Sequence, residues 1–301
     1  MTLLAVTTAL KAAQPGDEHG SIYLINLETQ QILKPVSWSD QGGVGKTDQE
    51  LGLRGLAFHG ERVYVASSDK ILVFDPTFEL LNTIENPYLK DCQQLTVFGQ
   101  HLFALSAGFD SILGFNLEDE RFDWAFKVVT DGRVFGVKSY DPNGNTGPLQ
   151  INKLKLNSLS CDQKGMYLSG KNTEALLKFS GKAIGVLTTL PKDVNCARLH
   201  LEGVLFCDAQ ADAFRFESPT VRIALPLPRL RSDTLPEQTK ANPQGICLVS
   251  DDQVAVGSQP ATLTVYDLAK QKPGQVINLS TDSQNTVFDI QKWPFSWPSK
   301  D

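Results

Sequence analysis

One pattern recurs along this chain and limits what it can fold into. The clearest copy, LRGLAFHG-ERVYVASSD-KILVFDPTF-ELLNTIE from Leu53, reads as four short strands with tight turns between them. The next, CQQLTVFG-QHLFALSAGFD-SILGFNLED-ERFDWAFKV from Cys92, puts the same features in the same places. Weaker copies follow as LNSLSCDQ-KGMYLSGKN-TEALLKFSG-KAIGVLTTL, then NCARLHLE-GVLFCDAQA-DAFRFES-PTVRIALPL, then PQGICLVSD-DQVAVGSQP-ATLTVYDLA-KPGQVINLS. Their alternating, β-branched residues favour half-buried strands over helices. Four-stranded repeats of about 40 to 50 residues predict the blades of a propeller.

Five units leave two remnants that complete each other. The N-terminal LLAVTTAL, GSIYLINLE and QILKPVSW match the second, third and fourth strands of a unit, and the C-terminal NTVFDIQK matches the missing first. The expectation is an all-β, six-bladed β-propeller, one domain over 1–301, with one blade closed by the C-terminal strand and the N-terminal strands. That closure removes an open sheet edge. Five or seven blades stay open as alternatives, whereas a doubly wound α/β fold is disfavoured because no amphipathic helix of ten or more residues separates the strands.

Composition narrows the function classes. A net charge of −6 and a pI near 5.3 leave no broad cationic field for a phosphate backbone or an anionic membrane, so neither nucleic acid nor membrane is expected as a partner. No apolar run approaches the length of a membrane span. Five cysteines without a CxxC spacing argue against a disulfide frame and a zinc site, and point to a reduced, cytoplasmic chain. The apolar start MTLLAVTTAL lacks the basic region of a secretory signal and serves as a strand in the repeat.

GGVGKT at 42–47 has the wording of a phosphate-binding loop, but its context fails. The position that requires the first glycine of that motif is Asp40, and strand returns soon after Thr47 at LRGLAF without a helix to follow the loop. A glycine-rich surface loop is the expectation.

The predicted topology sends the loops between second and third strands, and those between blades, to one face. Residues 9–20, 37–52, 130–153 and 226–243 are the long connections there, whereas the turns FHGER, FGQHL and LEDER at the other face are short. Insertions gathered on one face of a rigid scaffold are where binding usually resides. The first position of each inner strand is polar: Arg54, Gln93, Asn157, Asn195, Gln244 and Asn285. Such a ring would bind a small anionic or carbonyl-bearing ligand, with Arg54 as a bidentate anchor, or a protein partner. It would equally satisfy backbone groups and water where strands crowd together.

Signs of catalysis are sparse. His59, His101 and His200 fall at turns on the opposite face, His19 stands apart from them, and no GxSxG elbow occurs. Cys92, Cys161, Cys196 and Cys247 lie in or beside inner strands and read as small buried hydrophobes. YDPNGNTG spaces Asp141, Asn143 and Asn145 like the first ligands of a calcium loop, but the sixth position is not glycine and the twelfth is Asn152, so a glycine-rich turn is expected. No metal ligand set and no cofactor is predicted.

Through these units the chain resembles the six-bladed propeller superfamily that includes NHL-repeat and gluconolactonase-like proteins. QQLTVFGQHLFALSAGFDSILGFNLE and QGICLVSDDQVAVGSQPATLTVYDL are similar to a group of bacterial propellers. The resemblance implies an alternative, a metal-dependent hydrolase or lactonase holding a divalent cation with carboxylates and asparagines at the inner-strand tops. Asn157 and Asn195 match the neutral ligands, while Arg54 takes one blade's place and the nearest carboxylates, Asp91 and Asp193, sit just upstream.

Overall fold

A computed structural model describes residues 1–11, 17–39, 52–228 and 240–297. The first strands are β1 (Leu3–Leu10), β2 (Gly20–Asn26) and β3 (Ile32–Trp38). A second sheet follows in chain order, with β4 (Leu56–His59), β5 (Arg62–Ser67), β6 (Lys70–Phe74) and β7 (Leu80–Glu85). The third has five strands: β8 (Cys92–Phe98), β9 (His101–Ser106), β10 (Ser111–Asn116), β11 (Arg121–Thr130) and β12 (Phe135–Ser139). Next come β13 (Leu156–Asp162), β14 (Gly165–Gly170), β15 (Ala175–Phe179) and β16 (Ile184–Thr189). The fifth sheet is β17 (Val194–His200), β18 (Gly203–Asp208), β19 (Ala213–Glu217) and β20 (Arg222–Pro226). The sixth is β21 (Gln244–Leu248), β22 (Gln253–Ser258), β23 (Thr262–Asp267) and β24 (Lys272–Asn278). The last strand, β25 (Asn285–Lys292), pairs antiparallel with β1, giving the order β25-β1-β2-β3. The fold is a six-bladed β-propeller whose first blade is built from both ends of the sequence.

The chain divides into two compact units. One comprises Met1–Arg54, Pro76–Glu79 and Leu199–Asp301, and its core joins the first and sixth sheets through Leu4, Val6, Ala255, Leu263, Val287 and Ile290. The other comprises Gly55–Asp75 and Leu80–Arg198, with one core between the second and third sheets, including Tyr64, Leu89 and Leu113, and another between the third and fourth, including Phe126, Leu156 and Leu177. Burial explains the sequence pattern. β1 is buried along nearly its whole length and reads as an almost unbroken apolar run, whereas the outer strand β20, RIALP, alternates exposed and buried. Each fully buried Leu, Ile or Val contributes about 1.5–3 kcal/mol of transfer free energy.

The chain reaches four of the six inner strands through the same local device. Asp91, Lys155, Asp193 and Asn242 all have positive φ, and each stands two residues before a predicted polar head: Gln93, Asn157, Asn195 and Gln244. Asp and Asn tolerate that conformation better than other non-glycine residues, and three of the four positions use them. A carboxylate from the preceding blade receives the arriving backbone. Asp110, 1% exposed between β9 and β10, accepts the N–H groups of Lys153 at 2.8 Å and Leu154 at 3.1 Å. Asp212, between β18 and β19, does the same for Ala241 at 3.0 Å and Asn242 at 2.9 Å. Without these acceptors the entering amides would be orphaned away from water.

The expectation of a long loop over 130–153 needs correction. Residues 135–139 form β12, a fifth strand on the edge of the third sheet, after the turn TDGR. Gly132 takes φ +96, and Asp131 Oδ1 accepts the N–H groups of Val134 at 3.0 Å and Arg133 at 2.8 Å, which hold its carboxyl below the usual range. The alternation FGVKS then pairs with β11 as a hairpin. The sequence thereafter reaches the opposite end of the sheet, where Asn143 Nδ2 donates to Phe122 O at 2.7 Å, before returning to β13. The arm thus spans the sheet instead of clustering at one end. The loops 9–20, 37–52 and 226–243 fall partly, and GGVGKT wholly, outside the described residues.

Burial holds the Asp110 carboxyl above its ordinary value of 3.8, against the opposing pull of the Leu154 and Lys153 N–H groups. The folded protein therefore keeps this proton to higher pH than the unfolded chain, and the stability linked to it is present at low pH and lost as pH rises through the folded value. In urea titrations from pH 3.5 to 7, wild type should lose stability relative to the non-titrating Asp110→Asn as pH rises. Asp110→Ala should cost about 1–3 kcal/mol per orphaned N–H at any pH.

Candidate functional site

The polar heads divide between the two units. In the first, Arg54 is 2% exposed, with its guanidinium 5.2 Å from the centre of the Phe288 ring, and its carbonyl accepts the Thr7 hydroxyl. Asn285, at the start of β25, is 6% exposed, and its Oδ1 has no hydrogen-bond partner among the described residues. Gln244 opens β21, where Gly245, at φ +75, is bulged out of the pairing with β22.

In the second unit, Gln93, Asn157 and Asn195 are the second residues of β8, β13 and β17, one position inside the predicted first place. Gln93 and Asn157 sit at register shifts, and such bulges re-aim a side chain. Gln93 Nε2 donates to Asp91 Oδ1 at 2.7 Å. Asn157 Nδ2 donates to Val194 O at 2.7 Å, tying two neighbouring inner strands, and leaves its buried Oδ1 without a partner among the described residues. Asn195 is 2% exposed. These heads therefore hold strands together first, and what Asn157 and Asn285 lack is a donor.

Asp141, Asn143 and Asn145 lie in a turn, not a ligand cluster. Asp141 Oδ1 accepts the Asn143 N–H at 2.9 Å, and the Tyr88 hydroxyl donates to Gly144 O at 2.9 Å while accepting the Gly147 N–H at 2.8 Å. A Cβ on Gly147 would stand 2.2 Å from the Tyr88 ring, so only glycine permits this seat. Among the described residues no three His, Cys, Asp or Glu side chains converge as a metal site.

Sequence reasoning missed a cavity of ≈ 510 Å³ in the second unit, at the end of the third and fourth sheets that carries the short turns. Its apolar wall is Phe98, Phe103, Trp124, Met166 and Phe179. His101, Asp123, Asp162 and Lys164 supply the polar side. Trp124 packs edge-on against Phe103 at 5.6 Å and Phe126 at 5.0 Å, and His101 stacks on Phe103 at 5.6 Å. His101 Nε2 lies 3.1 Å from Asp123 Oδ1, and Asn116 Nδ2 donates to Asp123 Oδ2 at 3.1 Å. His101 therefore faces a cavity instead of serving the turn alone. His59 stands exposed at its turn, and His200 Nε2 lies 3.1 Å from Asp251 O. The signal in the sequence was the aromatic segments HLF and FDWAF in the second and fourth strands of one repeat, which flank Gly114 of β10.

Cys161 borders this cavity. Burial, with the neighbouring Asp162 charge, pushes its thiol up to about 12, so it stays protonated at neutral pH. Asp162 is itself engaged by the Lys164 N–H at 2.7 Å and the Tyr167 hydroxyl at 3.1 Å.

No family model and no curated protein matches the chain. Solved structures do. A chain of a nidogen/laminin complex is similar over 96% of this chain and 98% of its own, at 13% identity and a TM-score of 0.63. A protein of unknown function from Bacteroides caccae is similar over 98% and 99%, at 11% identity and a TM-score of 0.60. Apo AztD from Citrobacter koseri is similar over 97% and 98%, at 11% identity and a TM-score of 0.50. Likenesses at this identity carry the propeller fold, a common scaffold for binding. Among the described residues no helix is long and apolar enough to cross a membrane.

None of the five cysteines is in a disulfide; four are buried and Cys161 is held as a thiol. Ellman's reagent at pH 8 should label the native protein only over hours, and all five thiols within minutes in 6 M guanidinium. Rapid labelling of Cys161 in the native protein would show an activated thiolate and reopen a nucleophilic role.

Proposed function

We propose that this propeller is a binding module that docks an acidic protein partner on the arm at 130–153. The observation that carries the reading is what the arm presents beside the β11–β12 turn. Val134, Leu149 and Ile151 are 65%, 76% and 52% exposed. Lys127 Nζ donates to Leu149 O at 3.2 Å and Lys153 Nζ to Thr130 O at 3.3 Å, which gathers these apolar side chains by the turn. Between residues 126 and 155 the chain carries Lys127, Arg133, Lys138, Lys153 and Lys155 against Asp131 and Asp141, in a protein whose net charge is −6. An apolar cluster rimmed by one sign of charge is a docking surface, and its charge selects an acidic partner. Tyr88 and Asp110 anchor the arm, so little ordering entropy opposes binding.

A second reading uses the inner-strand heads of the second unit, where the buried Oδ1 of Asn157 favours a ligand that donates hydrogen bonds. A metal-dependent hydrolase of gluconolactonase-like kind would need carboxylates at the inner-strand heads, and Arg54 occupies one of the places.

Affinity capture from native lysate should retain a partner on wild type, lose it on Leu149→Glu/Ile151→Glu and on Arg133→Glu/Lys153→Glu, and release it between 0.1 and 0.5 M salt. All three proteins should melt within a few degrees of one another, because the substituted side chains are exposed. Equal capture by wild type and both variants, or none by any, would overturn the arm as the docking surface.

A further inference from the structure

We propose that the cavity between the third and fourth sheets binds a flat aromatic molecule carrying a protonated amine, its ring against Trp124 and Phe103 and its ammonium at Asp123. The site stands apart from the arm's exposed cluster, at the other end of the same sheet, so the two readings succeed or fail separately.

Size and wall come first. At ≈ 510 Å³ the cavity falls within the range of small-molecule sites, and its wall is predominantly aromatic. The wall is also preformed. Trp124 is held edge-on by Phe103 and Phe126 and contacts Phe179 at 6.0 Å, so its indole need not be ordered when a ligand arrives. Rings fixed in this way offer π faces and edges to a planar guest, and offset or edge-on aromatic pairs are worth about 0.5–1.5 kcal/mol beyond the area they bury.

The charge of the guest follows from the polar side. Asp123 accepts His101 and Asn116, two donors for a carboxylate with about four acceptor sites. Its side chain is 25% exposed, open enough to receive a third. Asp162 is the second carboxylate of the lining, and the adjoining β10–β11 turn adds Glu118, Asp119 and Glu120. The cations nearby are Lys164 on the lining, Lys182 next to the lining residue Gly181, Lys178 drawn over the Tyr167 ring at 6.0 Å, Arg121 beside Asp119 at 3.7 Å and Arg62 paired with Glu120 at 2.9 Å. On the lining itself two carboxylates, Asp123 and Asp162, stand against Lys164, and Asp123 keeps open acceptor sites, which favours an ammonium over a carboxylate. Trp124 adds cation–π attraction on the same side.

Three compounds that share the indole ring and differ in the charge they carry test the proposal: tryptamine, unsubstituted indole and indole-3-propionate, titrated by calorimetry and by ligand-detected NMR. Wild type should bind tryptamine most tightly, indole more weakly and indole-3-propionate least. Asp123→Asn should weaken tryptamine on the order of tenfold and leave indole nearly unchanged, the loss of one charge-assisted hydrogen bond. Ser180→Trp, placed on the exposed rim of the cavity, should abolish binding of all three without a fall in melting temperature. The proposal is overturned by no binding of tryptamine, by equal binding of all three indoles, by tighter binding of indole-3-propionate, or by tryptamine binding that Ser180→Trp leaves intact.

Discussion

The pairing of β1 with β25 is the constraint on which the first blade depends. Leu4 to Leu10 run beside Asn285 to Lys292, so strands from the two ends of the sequence share one ladder. β1 is buried on both faces and would otherwise present an unpaired row of backbone groups beside β2. Such a contact has the longest sequence separation the chain allows. Its loop-closure entropy is recovered only when the intervening strands are already in place.

Repetition then solves a second problem, the arrival of the backbone at four of the six inner strands, two of which also receive a carboxylate. A residue with positive φ turns the chain, and Asp110 or Asp212 from the preceding blade accepts the amides that the turn exposes. Leaving such buried amides unpaired costs more than the net value of the bonds. The polar heads that follow are therefore anchored in structure before they are available to a ligand, as Asn157 shows by donating to the Val194 carbonyl.

Against this regular frame, the third blade departs. It carries an extra strand, a pinned return segment with exposed Val134, Leu149 and Ile151, and an aromatic wall around Trp124 that its sister blades lack. The third blade thus carries the exposed arm and one wall of the cavity, whose other wall is the fourth blade. A rigid repeat tolerates this because each blade's own ladder survives additions at its edge and ends.

The six blades and their closure were legible in the sequence because strand alternation is local and the copies reinforce one another. The arm was half legible: TDGR before VFGVKS marks a hairpin, but against a four-strand template it read as an insertion. Arg54 was recognised as a polar head, yet its burial against Phe288 depends on β25, more than 230 residues away in sequence. Of the cavity, only the aromatic segments HLF and FDWAF of its wall were legible. It forms where turns of two sheets meet, and Trp124, His101 and Cys161 come together only after the backbone has placed them. Sequence alone determined the repeat, because hydrogen-bonded strands need only a local pattern. Tertiary structure decided what lies between the sheets, because that depends on side chains from distant copies sharing one space.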